Sequence, residues 1–132
     1  GGLLKMDTTG ATPVQARCVG DTAIIYASDY LYKLSGERIE RECKNQLEAG
    51  RQAVVINFRD TELVNSIGVS ILMGVIDAAE QSHARLIFCD VNTQSASLFE
   101  MLGLTKHVRI ATDESEALSW IQPQSNAAAT AT

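Results

Sequence analysis

Residues 53–58, AVVINF, constrain this chain more than any other stretch, because they run apolar and β-branched with almost no polar interruption. A strand with one wet face alternates apolar and polar residues, so an unbroken run reads as a strand covered on both faces, the usual state of parallel strands. A second short run of the same kind, RLIFC, follows at 85–89. Between them, residues 63–82 change to a helical pattern. Strand, helix and strand in that order imply a right-handed crossover and an α/β fold.

The flanking segments extend the pattern. TPVQARCVG and DTAIIYA read as two short strands joined by a Gly20-Asp21 turn, as at a hairpin. From Leu34 to Glu48, Ile39, Cys43 and Leu47 recur every four residues among charged side chains, which makes one apolar helical face that Gly50 is placed to stop. Leu98, Phe99 and Leu102 form another helical stripe, closed by Gly103, and KHVRIA at 106–111 is a weaker strand. In TDESEAL, Asp113 and Glu116 have capping-box spacing, which opens a last helix that ends before Pro123. The predicted order is β-β-α-β-α-β-α-β-α: a mixed, mostly parallel sheet of four to five strands with an N-terminal hairpin and about four helices.

A chain of 132 residues can close one core without metal or disulfide staples. One domain is expected over 11–122, with residues 1–10 a disordered, tag-derived stretch or the start of a fragment and 123–132 a flexible tail. Cys18, Cys43 and Cys89 are far apart in apolar surroundings and are expected to be buried free thiols in a reducing compartment. Apolar stretches fall well short of the ~20 residues needed to span a bilayer, so a cytoplasmic location is expected. A net charge of -5 without a Lys/Arg stripe argues against nucleic acid and against direct membrane binding and leaves a protein as the natural partner.

The informative stretch is LVNSIGVSILMGVIDAAE, residues 63–80. Ser66 stands where a loop meets a helix starting near Ile67, a natural N-cap position. Ile67, Ile71, Val75 and Ala78 supply one core-facing stripe, yet Val69, Met73 and Ile76 are apolar on other sides. Either the protein buries this surplus itself, or Val69, Ser70, Met73 and Asp77, lying beneath Ser66, form a partner surface. Gly68 admits two readings as well: close approach of a partner's backbone, or relief of crowding against the preceding strand.

The stretch from AVVINF to SEAL, with Ser66 and Gly68 two apart at a helix start, the FEMLGL block and a closing acidic-Glu-Ala-Leu, resembles the STAS domain of sulphate transporters and bacterial anti-sigma-factor antagonists. That resemblance implies a STAS-like fold and a non-catalytic, phospho-regulated role in transcription signalling. The antagonist loop is typically Asp-Ser-Ser-Gly, with the first Ser phosphorylated by a partner that is both serine kinase and anti-sigma factor. Ser66 matches that acceptor and Gly68 the glycine, while Asn65 and Ile67 depart from the pattern. Implied partner-binding residues are Asn65, Ser66, Ile67, Gly68, Val69, Ser70 and Met73, with Asp29 from the loop after the second strand. Implied partners are the anti-sigma factor kinase and a phosphatase, the chain itself being a monomer or weak dimer. The alternative is a STAS module of a transporter, lipid-handling or stress-sensing assembly that is not phosphorylated at Ser66.

Enzyme readings find little support. LVNSIG is not a nucleophile elbow, and His83 and His107 lie in a polar turn and at a strand start. Asp60 follows the central strand as in a phospho-aspartate receiver, but the acidic pair expected after the first strand is missing. Neither a Gly-rich phosphate loop nor a metal-ligand spacing occurs, so neither cofactor nor metal is expected. Trp120 and Phe99 are expected to fill the core under the last two helices.

Overall fold

A computed structural model describes residues 14–121; the assignments made for 1–10 and 123–132 lie outside them. The hairpin strands β1 (Ala16–Val19) and β2 (Thr22–Tyr26) are antiparallel, with Gly20 at φ 59° in the turn between them. The two-residue strand β3 (Tyr30–Leu31) precedes helix α1 (Lys33–Glu48). The β4 strand (Ala53–Asn57), the two-residue β5 (Leu63–Val64), helix α2 (Ser66–Gln81) and β6 (Arg85–Cys89) follow. Helix α3 (Thr93–Met101), a 3-10 turn at Leu104–Lys106, β7 (Arg109–Ala111) and helix α4 (Glu114–Ile121) complete the described chain.

The main sheet has the order β1-β2-β4-β6-β7, parallel throughout except for the hairpin. As its composition requires, β4 is central and buried at all five residues, with β2 on one side and β6 on the other. Both faces are covered. Ile25, Val54, Ile56 and Phe88 point to a core shared with α1, α2 and α3, whereas Ile24, Val55, Ile87 and Ala111 meet α4 on the opposite face. Phe58, Phe88 and Phe99 pack edge to face, with centroids 5.1 to 5.7 Å apart, and tie the exit of β4, the middle of β6 and α3 together.

Several local expectations hold for the reasons that suggested them. Gly50 and Gly103 sit at φ 94° and 87°, the left-handed region that terminates a helix. Asp113 accepts from the Glu116 amide at 2.9 Å, and Glu116 accepts in return from the Thr112 amide at 2.7 Å. Others are corrected. The expected strand 106–111 is shorter: Lys106 ends the 3-10 turn, His107 and Val108 lead out of it, and only Arg109–Ala111 pair with β6. Cys43 and Cys89 are buried, and burial with the nearby Glu40 and Glu42 carboxylates pushes the Cys43 thiol up to about 12. Cys18 is exposed instead, because β1 is an edge strand and its outer positions meet solvent. Phe99 is fully buried, but Trp120 is only half-buried and stacks under the Arg109 guanidinium at 3.8 Å.

Candidate functional site

The loops that leave the C-terminal ends of β2 and β4 are joined by a feature the sequence did not reveal, the parallel pair β3 and β5, in which Tyr30 lies opposite Leu63 and Leu31 opposite Val64. Backbone bonds lock the pair in place: the Glu62 amide donates to the Asp29 carbonyl at 2.8 Å and the Asn65 amide to the Leu31 carbonyl at 2.9 Å. Thr61, buried within the loop, donates its hydroxyl to the Ser28 carbonyl at 2.6 Å. The exposed Asp29 is thereby brought next to the segment that leads into α2.

At the start of α2 the cap is Asn65, not Ser66. The Asn65 Oδ1 accepts from the Gly68 amide at 2.8 Å, the N-cap to third-residue bond that satisfies one of the helix's free donors. Its Nδ2 donates to the Tyr30 hydroxyl at 3.3 Å, and the Tyr30 ring stacks on Tyr32, centroids 4.9 Å apart. An amide does both jobs at once, accepting with its oxygen and donating with its nitrogen. Ser66 becomes the first helical residue, solvent-exposed and relieved of capping.

The rest of the expected partner surface is divided by packing. Ile67 is 54% exposed, and Ser70 and Asp77 are exposed on the same helix. Met73 is half-buried against the core. Val69, at 2% exposure, and Gly68 are buried and face the protein's own interior. Hence the core stripe is Val69, Leu72, Val75, Ile76 and Ala79, rather than the expected set that began at Ile67. The apolar surplus of α2 is explained by its place over the sheet and beside α1, where Ile71 fits against Gly36. Gly68 is needed internally: a Cβ there would lie 2.6 Å from the Leu31 carbonyl oxygen.

A second polar group occupies the same end of the sheet. Asn57, 2% exposed, donates from Nδ2 to Glu114 at 2.7 Å and to Asp90 at 3.1 Å, while its Oδ1 accepts from the Arg59 amide at 2.8 Å. Glu114 also receives the Arg17 guanidinium at 2.7 Å. Burial raises the pKa of the Glu114 carboxyl, but hydrogen bonds from Tyr26, Arg17 and Asn57 outweigh it and hold the group below the usual carboxylate range. Because the folded value is the lower one, the ionised form stabilises the fold above the ordinary carboxylate range, and that contribution is lost as pH falls through the folded pKa. Glu114→Gln should therefore cost about 1 kcal/mol at neutral pH and progressively less as the pH falls below the ordinary carboxylate range, read from urea midpoints at neutral and acid pH. An equal loss at both would show that the charge is not the cause.

Among the described residues no group of His, Cys, Asp and Glu could hold a metal ion, and no helix is long and apolar enough to cross a membrane. Tyr30, Thr61, Leu63 and Asn57 also stand at this end of the sheet, outside the residues that the sequence motif marks. A signal existed for Tyr30, since two tyrosines two residues apart in an extended segment share a face and can stack.

Comparison with known proteins agrees with the topology. A likeness to SpoIIAA, an anti-sigma factor antagonist, is found for its unphosphorylated form at 22% identity and a TM-score of 0.71, over 83% of this chain and 96% of that one. Its phosphorylated form, a Bacillus cell fate determinant, gives 22% identity and 0.65, over 82% of this chain and 98% of that one. A serine-to-glutamate variant of RsbS from Moorella thermoacetica gives 15% identity and a TM-score of 0.75, over 87% of this chain and 99% of that one. At these identities the likenesses show the fold alone. The STAS domain description matches residues 13–117, nearly the whole folded unit, and the chain belongs to the STAS domain family.

Proposed function

We propose that this protein is a non-catalytic regulatory interaction domain of the anti-sigma-factor-antagonist kind, which binds an anti-sigma factor with serine kinase activity and is switched by phosphorylation of Ser66. The observation that carries this reading is the division of labour at the start of α2: Asn65 caps the helix and leaves an exposed serine hydroxyl with no structural duty. Phosphate can be added there without dismantling the fold. Two of the structural likenesses lend support, since SpoIIAA exists in unphosphorylated and phosphorylated forms.

In the transfer, the Ser66 oxygen attacks the terminal phosphorus of the kinase's nucleotide, one P–O bond forms as another breaks, and the hydroxyl proton leaves to a base of the kinase. The product carries about -1.5 to -2 charges, which the free amides and dipole of a helix N-terminus tolerate. A partner that buries the neutral hydroxyl together with Ile67 and Ser70 would then have to desolvate a dianion. Bound protein sequesters the kinase, and phosphorylated protein releases it. Asn65, by replacing a carboxylate next to the acceptor, lowers the negative charge that such a partner meets.

Peptide mass spectrometry of the protein from its own cells, with and without phosphatase, should find phosphate on Ser66 and none in a Ser66→Ala variant. Ser66→Asp and Ile67→Glu should each weaken binding to the cognate kinase by about 30-fold, equivalent to about 2 kcal/mol, with helix content unchanged. Retained binding in both variants, together with absence of the phosphate, would favour a STAS module of another assembly; a likeness is also found to a component of the stressosome, a signal integration and transduction hub.

A further inference from the structure

Two adjacent residues are able to cap α2. Asn65 does so in the structure, yet Ser66 has the same aptitude, since asparagine and serine rank as near-equal N-caps. If the helix began one residue later, the Ser66 hydroxyl would accept from the Val69 amide, which here donates to the Asn65 carbonyl at 3.1 Å. In that register the hydroxyl is occupied and its residue leaves the helix; in the observed register it is exposed and free of capping. The register therefore decides how the serine is presented.

Backbone contacts discriminate only in part. The Asn65 amide donates to the Leu31 carbonyl at 2.9 Å, but residue 65 is extended in either register, so that bond favours neither. The Gly68 amide, on a buried residue, finds its side-chain acceptor only in the observed register. A further contact braces the capping side chain itself: with Oδ1 turned to Gly68, Asn65 aims Nδ2 at the Tyr30 hydroxyl, 3.3 Å away. Serine has no second polar arm to be braced in this way.

Tyr30 is well placed to act as a brace. Its backbone pairs opposite Leu63, and its ring stacks on Tyr32 with centroids 4.9 Å apart. Its carbonyl accepts from the Ser35 hydroxyl at 2.7 Å, and the Ser35 oxygen in turn accepts from the Tyr32 amide at 3.0 Å at the start of α1. Although 40% exposed, the side chain is thus held from both ends.

We infer that Tyr30 is a positioning residue for Ser66: its hydroxyl holds the Asn65 side chain in the capping pose, selects the earlier register of α2 and so keeps the serine hydroxyl free. This deepens the proposed switch, on which its functional consequence rests, whereas the selection of register stands without a kinase.

The test is amide hydrogen exchange by NMR on the 15N,13C-labelled full chain. Exchange at Gly68 reports the Asn65 cap, whereas the Val69 amide is bonded in either register; a change of register raises the first alone, and fraying of the helix raises both. Tyr30→Phe keeps the ring and removes only the hydroxyl. It should speed Gly68 exchange about five-fold, the effect of one exposed hydrogen bond, and leave Val69 within about two-fold. Ser66→Ala in the same background removes the rival cap and should bring Gly68 most of the way back to the parent rate. Asn65→Ala should complete the change of register, moving the Ser66 Cα and Cβ chemical shifts from helical to extended values. Circular dichroism verifies that each variant folds. Unchanged Gly68 exchange in Tyr30→Phe, equal acceleration at Gly68 and Val69, or no reversal by Ser66→Ala would overturn the inference. Absence of phosphate from Ser66 in cells would remove the switch and leave these rates as stated, so the two failures are distinguishable.

Discussion

Phe88→Ala should destabilise the protein by about 3–5 kcal/mol, a large part of the ~5–15 kcal/mol available to a domain of this size. Phe88 is fully buried in β6 and meets Phe58 and Phe99 edge to face at 5.1 and 5.7 Å. Those rings are fixed at the exit of β4 and on α3, so collapse onto the void would require separate elements to move together. Both the lost transfer energy and the cavity therefore count. Phe88→Leu, which refills most of the volume, should cost about 1–2 kcal/mol. Urea unfolding followed by circular dichroism should show a lower midpoint with an unchanged slope. A loss under about 1.5 kcal/mol for the alanine variant would mean that the aromatic cluster adapts far more readily than its packing implies.

Gly68→Ala should be the most damaging conservative change near the candidate site. The added carbon would meet the Leu31 carbonyl oxygen at 2.6 Å, its carbonyl carbon at 2.9 Å and its Cγ at 2.9 Å. Backbone cannot rotate away as a side chain can, so either α2 lifts off or β3 is pushed out. Overpacking of this kind costs about 1–3 kcal/mol or more, against a gain of up to about 1 kcal/mol in helix propensity. We expect a net loss of about 2 kcal/mol by urea unfolding. A second effect should be local: the Leu31 carbonyl is also the acceptor for the Asn65 amide, so the same shift disturbs the cap that presents Ser66. Amide shift changes should concentrate at residues 30–31 and 63–69. A stable variant with an undisturbed spectrum in this region would remove the internal explanation for Gly68.

Where a pattern depends on neighbours in sequence, it was legible. AVVINF reports β4 as a central parallel strand because only a strand covered on both faces can carry apolar side chains in both directions. Gly20, Gly50 and Gly103 mark turns and helix ends because each takes a positive φ that other residues resist. The helix bearing Ser66 and the location of the exposed serine at its start were legible for the same reason. Side-chain assignments within that helix were less so. A helix touched by a sheet on one side and α1 on another has no single apolar stripe, so periodicity could not separate the buried Val69 and Ile76 from the exposed Ile67.

Thus the sequence alone determined the α/β order, the central strand, the hairpin and the position of Ser66, all of which follow from short-range periodicity and backbone preference. Tertiary structure alone decided that Asn65 caps α2, that Gly68 yields space to Leu31, that Asn57 joins Glu114 to Asp90, and that β3 pairs with β5. Each of these is a contact between segments far apart in the chain or a choice between adjacent polar residues. Such contacts depend on distances that only the packed sheet and helices set, and no local pattern encodes them.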